Sequence, residues 1–171
     1  MVDHVFIDTL NLQARDFAFR WKNAIRKAPH LKEYNKLDDP ALIGLDAPFY
    51  PLLARVLDRG LDRSLIGDFF VRLGKNRMAE GFPVSEVIYA ANLSQQVVIE
   101  YLMTEFAPDS SVKMYQAMGL VTKVAEFFLL GGFYLTKGFF EAIYISMSSG
   151  DKIPEELLKK YFRDDFFFKR D

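Results

Sequence analysis

Residues 69–93 read FFVRLGKNRMAEGFPVSEVIYAANL and join two helical patterns through a tight corner. Apolar residues recur at helical spacing on both sides of the corner: Ile66, Phe70 and Leu73 before it, and Val84, Val87, Ile88, Ala91, Val98 and Leu102 after it. The corner places Gly81, a residue that commonly ends helices, two positions before Pro83, which commonly begins them. The spacing therefore predicts one helix that ends at Gly81 and another that begins near Pro83.

The N-terminal half of the chain shows the same helical spacing. A single stripe predicts a helix over 5–28, and the polar segment 30–46 is interpreted as a loop with one short turn. Asp46 is a suitable N-cap, so we expect a helix over 47–58, which Gly60 would close.

Beyond the corner, the pattern predicts three further helical segments. The helix that starts near Pro83 should end before a Pro-Asp-Ser sequence at 108–110. A long apolar helix is expected over 111–147, either continuous or divided at Gly131-Gly132, and a short helix should begin at Pro154. No alternating strand pattern longer than a few residues occurs. The fold class is therefore predicted to be all-α, with about six to seven helices.

Composition limits the classes of protein that this chain can belong to. Its 171 residues fit one domain, 1–171, and half of them are hydrophobic, which is enough for a sizeable core. The net charge is −1 with both signs mixed along the chain, so nucleic-acid binding is not expected. The absence of cysteine excludes disulfides, thiolate nucleophiles and iron–sulfur clusters, and fits a cytoplasmic protein.

The sequence also lacks recognisable motifs for metals, cofactors or catalysis. Its two histidines, His4 and His30, are expected at the surface, and no Glu-x-x-His pair of the kind used by di-metal helical bundles occurs. No glycine-rich phosphate loop follows a strand. We therefore expect no cofactor, no metal and no enzymatic activity. The carboxylates that an enzyme could use, Glu100, Glu105 and Glu126, are interpreted as solvated helix residues.

Neither a secretory signal nor a membrane span is expected. The first residues lack a basic region followed by an apolar run. The most apolar stretch, 124–147, contains Glu126, Lys137 and Glu141, and is interpreted as a buried helix.

Polar residues on apolar stripes mark a candidate ligand site. Gln95 continues the inner stripe of the helix after the corner, and a buried unsatisfied amide costs about 1–3 kcal/mol. A pocket that includes Gln95 would be lined by Ala91 and Val98, with Tyr134 and Phe128 from the long helix, and would bind a fatty acid or another small apolar molecule. The alternative is a slight rotation of the helix that lets Gln95 meet a neighbouring group.

Arg77 likewise continues an apolar stripe, that of the helix before the corner. A salt bridge to Glu80 or Glu86 is favoured over an anion site.

The long apolar helix suggests a subunit interface. Gly131 and Gly138 are seven residues apart with Tyr134 between them, so another helix could approach closely. They would pack either on the helix over 84–106 or on a second subunit. The apolar run that begins at Phe127 covers every face of the helix, which favours a homodimer. The aromatic C-terminal tail, 161–171, is expected to dock on its own domain or on a second subunit.

The corner resembles one known family. The pattern Phe70…Gly74…Arg77…Gly81-Phe-Pro-Val…Glu86-Val-Ile-Tyr-Ala…Leu93 is similar to the N-terminal sensory domain of RsbT co-antagonist proteins, which are stressosome regulators. The match covers about 35 residues. The resemblance implies a globin-like fold without haem, dimerisation through the last long helices and a role in signal transduction. Members usually continue into a STAS output domain, whereas this sequence stops at Asp171. If the chain is complete, either the output would come from a separate regulatory protein or the chain would simply bind a ligand.

Three functions are consistent with these patterns. The first is a non-catalytic sensor domain that dimerises, binds a protein partner and takes a small apolar ligand. The second is a protein–protein adaptor without a ligand. The third is an enzyme of unknown reaction.

Overall fold

The computed structural model describes residues 2–105, 110–150 and 153–162, with side chains described within 4–105, 110–150 and 153–159. These parts of the chain are helical and contain no strand, which confirms the all-α prediction. The α-helices are α1 (Val2–Leu12), α2 (Ala14–Arg26), α3 (Asp39–Asp46), α4 (Phe49–Arg59), α5 (Arg63–Ala79), α6 (Val84–Thr104), α7 (Ser111–Ser148) and α8 (Glu155–Phe162), and a 3₁₀ turn spans Tyr34–Lys36.

The N-terminal half differs from the prediction in two places. The single helix expected over 5–28 is divided into α1 and α2 at Gln13. The segment interpreted as a loop contains α3, in which Asp38 is the N-cap and accepts a hydrogen bond from the amide of Ala41 at 2.8 Å. Pro40 stands in the first turn of α3, where proline is favoured. These start signals were present in the sequence, but the weak apolar periodicity obscured them.

Asp46 is not the N-cap that the sequence suggested. It is the last residue of α3 and is 1% exposed, while α4 begins at Phe49 after Pro48. The prediction that Gly60 ends this helix is confirmed, because Gly60 follows α4 with a φ of 92°. Asp46 therefore does not cap a helix, and its carboxyl group is instead buried in the core.

The corner has the expected form. Asp62 caps α5 by accepting from the amides of Ser64 and Leu65 at 3.0 and 3.1 Å. After α5 ends, Gly81 takes a φ of 82°, which side-chain-bearing residues rarely adopt. Pro83 precedes the first residue of α6, and the Phe82 ring is buried in the main core.

The long helix α7 is continuous through Gly131-Gly132 and packs most extensively on α5. Glycines allow the two helices to approach closely. A Cβ atom added to Gly138 would lie 2.7 Å from the Cα of Val71, and one added to Gly74 would lie 2.8 Å from the amide nitrogen of Phe139. At Gly131, an added Cβ would overlap the Phe70 ring and lie 2.6 Å from its Cε2 atom. The contact between α5 and α7 therefore requires glycine on both helices.

The opposite face of α7 is uncovered in this structure. Seven large apolar residues form one stripe, which we call the outer stripe: Tyr115, Met118, Leu129, Phe133, Phe140, Tyr144 and Met147. Within the described residues, α7 is the one helix long and apolar enough to cross a membrane, and 33% of its most apolar window is buried. A core helix of a soluble protein passes the same test. On the covered side, Lys75 of α5 forms a 3.2 Å ion pair with Glu141.

Candidate functional site

A small cavity of about 20 Å³ lies where α2, α3, α5 and α6 meet, close to the corner. It combines polar and apolar walls, formed by Trp21, Tyr34, Leu45, Asp46, Phe49, Leu73, Arg77, Val87, Ala90, Ala91 and Ser94. Its volume exceeds the roughly 10–15 Å³ that one water molecule needs, and is far below the several hundred cubic ångströms of a typical drug-sized site. In its present shape the cavity has room for a very small occupant.

One wall of the cavity contains a buried acid cluster. Both oxygens of Asp46 accept hydrogen bonds, Oδ1 from the Ser94 hydroxyl at 2.5 Å and Oδ2 from the Tyr50 hydroxyl. Burial raises the pKa of Asp46 to about 7, although the two hydrogen bonds act in the opposite direction. Because the cluster joins α3, α4 and α6, it couples the protonation of one carboxyl group to the packing of three helices.

Arg77, from the last turn of α5, also lines the cavity. This residue is 5% exposed, and its Nη1 atom donates to the carboxylate of Glu80, which confirms the predicted salt bridge. The guanidinium carbon lies 5.4 Å from the centre of the Phe82 ring. Its Nε atom is buried and has no hydrogen-bond partner within the part of the chain that the structure describes. Such an atom is costly, because a buried donor without an acceptor loses about 1–3 kcal/mol.

Two further groups connect the cavity to the 3₁₀ turn. Burial raises the pKa of the Tyr34 phenol well above its usual value, and the nearby Arg77 guanidinium opposes this rise. Tyr34 packs on Phe82 with ring centres 4.8 Å apart. Glu86, in the first turn of α6, accepts from the amide of Glu33 at 2.9 Å, and burial raises its pKa. The turn before α3 is thus held directly against the corner.

Of the ligand residues predicted from the sequence, the cavity includes Ala91 alone. Gln95 is half-buried and Val98 is fully buried, and neither lines the cavity. Phe128 packs into an aromatic cluster with Phe49, and Tyr134 packs over Gly67 of α5. The predicted pocket therefore does not coincide with this cavity. An apolar stripe in the sequence identifies the buried face of a helix. It does not show where along that face the neighbouring helices leave a cavity.

The predicted interface residues also need correction. Gly131 and Gly138 pack on α5 of the same chain, neither on α6 nor at the surface, and Phe127 is completely buried in the core. Tyr134 is half-buried against the same helix. In this fold Gly131, Gly138 and Phe127 therefore face the interior of their own chain. The uncovered apolar surface of α7 is the outer stripe, on the opposite side of the helix.

The other candidate groups lie where the sequence suggested. His4 and His30 are exposed, and His30 contacts the Tyr89 ring edge-to-face with centres 4.4 Å apart. Glu100, Glu105 and Glu126 are exposed and do not converge. No group of three or more acidic or histidine side chains suited to a metal ion occurs among the described residues.

Sequence reasoning missed the central residues of this site. Asp46 was assigned to a helix cap, while Tyr34, Tyr50 and Ser94 were not singled out at all. Two signals were available: α3 begins at an Asp-Asp-Pro sequence, and Ser94 interrupts the buried face of α6. Neither signal shows that the side chains of Asp46 and Ser94 meet, because these residues are 48 positions apart in the chain.

The chain was also compared with known proteins. It matches no protein-family model, and neither the curated proteins nor the solved structures contain a match.

Proposed function

We propose that this chain is a non-catalytic regulatory domain that acts through a homodimer formed by the outer stripe of α7. The observation that carries the proposal is the exposure of that stripe. Leu129 is 76% exposed, Phe133 62% and Tyr144 71%, all on one face of the helix. Monomeric soluble proteins rarely leave an apolar patch of this extent uncovered.

A second copy of the chain is the partner that fits this surface best. The stripe runs from Tyr115 to Met147, which is about 48 Å of helix at 1.5 Å per residue. Thr122 and Glu126 interrupt this face between Met118 and Leu129, and beyond them it carries Leu129, Phe133, Phe140, Tyr144 and Met147. Two copies related by a two-fold axis would bury these apolar residues like against like. The same surface could instead receive a different regulatory protein, which is the adaptor hypothesis without a ligand.

The resemblance of the corner to the sensory domains of RsbT co-antagonist proteins supports a role in signal transduction for this domain. Sensor domains of the stressosome type transmit a signal through helices of this kind, and the present chain would pass its signal to a regulatory protein partner. A cytoplasmic location and a small ligand are parts of the same proposal.

A charge placed in the outer stripe should dissociate the dimer. We expect Leu129→Asp to weaken self-association by roughly a hundredfold or more, because burying an unpaired carboxylate costs about 3 kcal/mol or more. Sedimentation velocity over a range of protein concentrations measures this change. Leu12→Asp is the matched control: Leu12 is 85% exposed on α1, outside the stripe, and its substitution should leave self-association unchanged.

The wild-type protein provides the decisive comparison. A monomer at roughly tens of micromolar, a concentration at which even a weak specific dimer forms, would contradict the dimer proposal. Co-sedimentation of that monomer with phospholipid vesicles would indicate instead that the stripe lies on a membrane. Loss of self-association in both aspartate variants would show that the dimer does not depend on the outer stripe.

A further inference from the structure

The unpartnered Nε of Arg77 and the adjacent cavity belong together. Arg77 lines the cavity with apolar neighbours such as Leu73 and Val87, and its Nε is the one buried side-chain polar atom without a partner among the described residues. Two other donors at the cavity have acceptors: the Trp21 indole donates to the Ala90 carbonyl at 2.8 Å, and the Ser94 hydroxyl donates to Asp46 at 2.5 Å. The cavity therefore needs an acceptor for Arg77.

The size of the cavity restricts that acceptor. At about 20 Å³, the space holds one water-sized molecule. Internal waters typically make about three hydrogen bonds to buried polar groups. The lining offers enough partners, because Arg77, Tyr34 and Asp46 all line the space and each carries a polar group that can bind water.

The charges around the cavity favour a neutral occupant over an anion. The positive charge of Arg77 is already paired with the Glu80 carboxylate. Above about pH 7, where Asp46 is ionised, its carboxylate would also repel a halide in the cavity. An apolar molecule would fit the volume but would leave Nε without an acceptor.

We propose that the cavity is the binding site of one internal water molecule, which accepts a hydrogen bond from Nε of Arg77 and links it to the Asp46–Ser94–Tyr50 cluster. This water joins the last turn of α5, beside the corner, to the buried acid on α3. The inference does not depend on the dimer, because none of these groups belongs to the outer stripe.

The test fills the cavity with a methyl group. Val87, on α6, lines the cavity and is 2% exposed, so Val87→Ile places an added carbon in or beside the water site. Magnetic relaxation dispersion of water oxygen-17 counts long-lived internal waters. We expect the count to fall by one in Val87→Ile. The control is Val97→Ile, another buried valine of α6 that does not line the cavity, and its count should equal that of the wild type.

A high-resolution crystal structure of the wild-type protein, grown in bromide, decides the question even if Val87→Ile fails to fold. Electron density for one water within hydrogen-bonding distance of Nε supports the proposal. An empty cavity overturns it, and so does an anomalous bromide peak beside Arg77, which would identify an anion site. An unchanged water count in a folded Val87→Ile variant would also overturn it.

Discussion

Gly138→Ala is expected to lower the free energy of unfolding by about 3 kcal/mol, the upper end of the cost of overpacking a core. The added Cβ would lie 2.7 Å from the Cα of Val71 and closer still to that residue's carbonyl oxygen. Both atoms belong to the backbone of α5, so a side-chain rotation cannot relieve the overlap. The two helices would have to separate, and the core between them would lose contacts. Urea denaturation followed by far-ultraviolet circular dichroism measures the loss.

Gly132→Ala provides the matched control on the same helix. Nothing lies within 4 Å of the position that its Cβ would occupy. Because alanine favours a helix over glycine by about 1 kcal/mol, this variant should be as stable as the wild type or more stable. Both variants should be compared at one protein concentration, since self-association adds to apparent stability.

This pair of variants also separates the observed role of Gly138 from the interface predicted from sequence. If Gly138 faced a second subunit, Gly138→Ala would change self-association and leave the stability of the monomer intact. Packing of Gly138 on α5 predicts instead that the variant loses stability even at protein concentrations where the wild type is monomeric. Equal stability of Gly138→Ala and Gly132→Ala would contradict the described contact between α5 and α7.

The stability of the protein is expected to fall as the pH rises from about 4 to about 7, because of Asp46. Burial raises the pKa of this carboxyl group from 3.8 to about 7 in the folded protein. Between these values the folded state holds a proton that the unfolded state has released, so raising the pH favours unfolding. The contribution is fully present below pH 4 and is lost once the pH passes about 7. The difference in pKa corresponds to roughly 4 kcal/mol.

Asp46→Asn isolates this contribution, since an amide of the same shape does not titrate. Glu86, whose pKa burial also raises, remains in the variant, so the difference between variant and wild type reports on Asp46. Chemical denaturation at several pH values should show a shallower decline between pH 4 and 7 in Asp46→Asn. The control Asp68→Asn, at an exposed position of α5, should follow the wild type. A wild-type and an Asp46→Asn protein with identical pH profiles would show that Asp46 does not hold a proton in the folded state.

The sequence predicted the helices wherever start and stop signals accompanied a strong apolar stripe. Gly60, Gly81 and Pro83 act as predicted, because helix ends depend on residues close together in the chain. The division of the first helix at Gln13 was missed, because an uninterrupted apolar pattern crosses that residue. The predicted aromatic tail, 161–171, has no described side chains and lies outside this comparison.

The candidate site could be predicted only in part. The Arg77–Glu80 salt bridge is local, with its partners three positions apart at the end of α5, and the sequence limited the partner to Glu80 or Glu86. Asp46 shows the opposite case. Aspartate before a proline-containing helix is a good N-cap in isolation, and only the proximity of Ser94 and Tyr50 makes burial of its carboxyl group tolerable.

The sequence alone determined the helical fold class and the corner at Gly81, because helix periodicity and capping depend on neighbours within a few residues. Only the tertiary structure decided which faces of those helices meet. It directs Gly131 and Gly138 onto α5, leaves the outer stripe uncovered and brings Asp46 next to Arg77 across a small cavity. The physical reason is that these contacts join residues far apart in the chain, and close approach, burial and hydrogen bonding select one arrangement among several that the same apolar stripes permit.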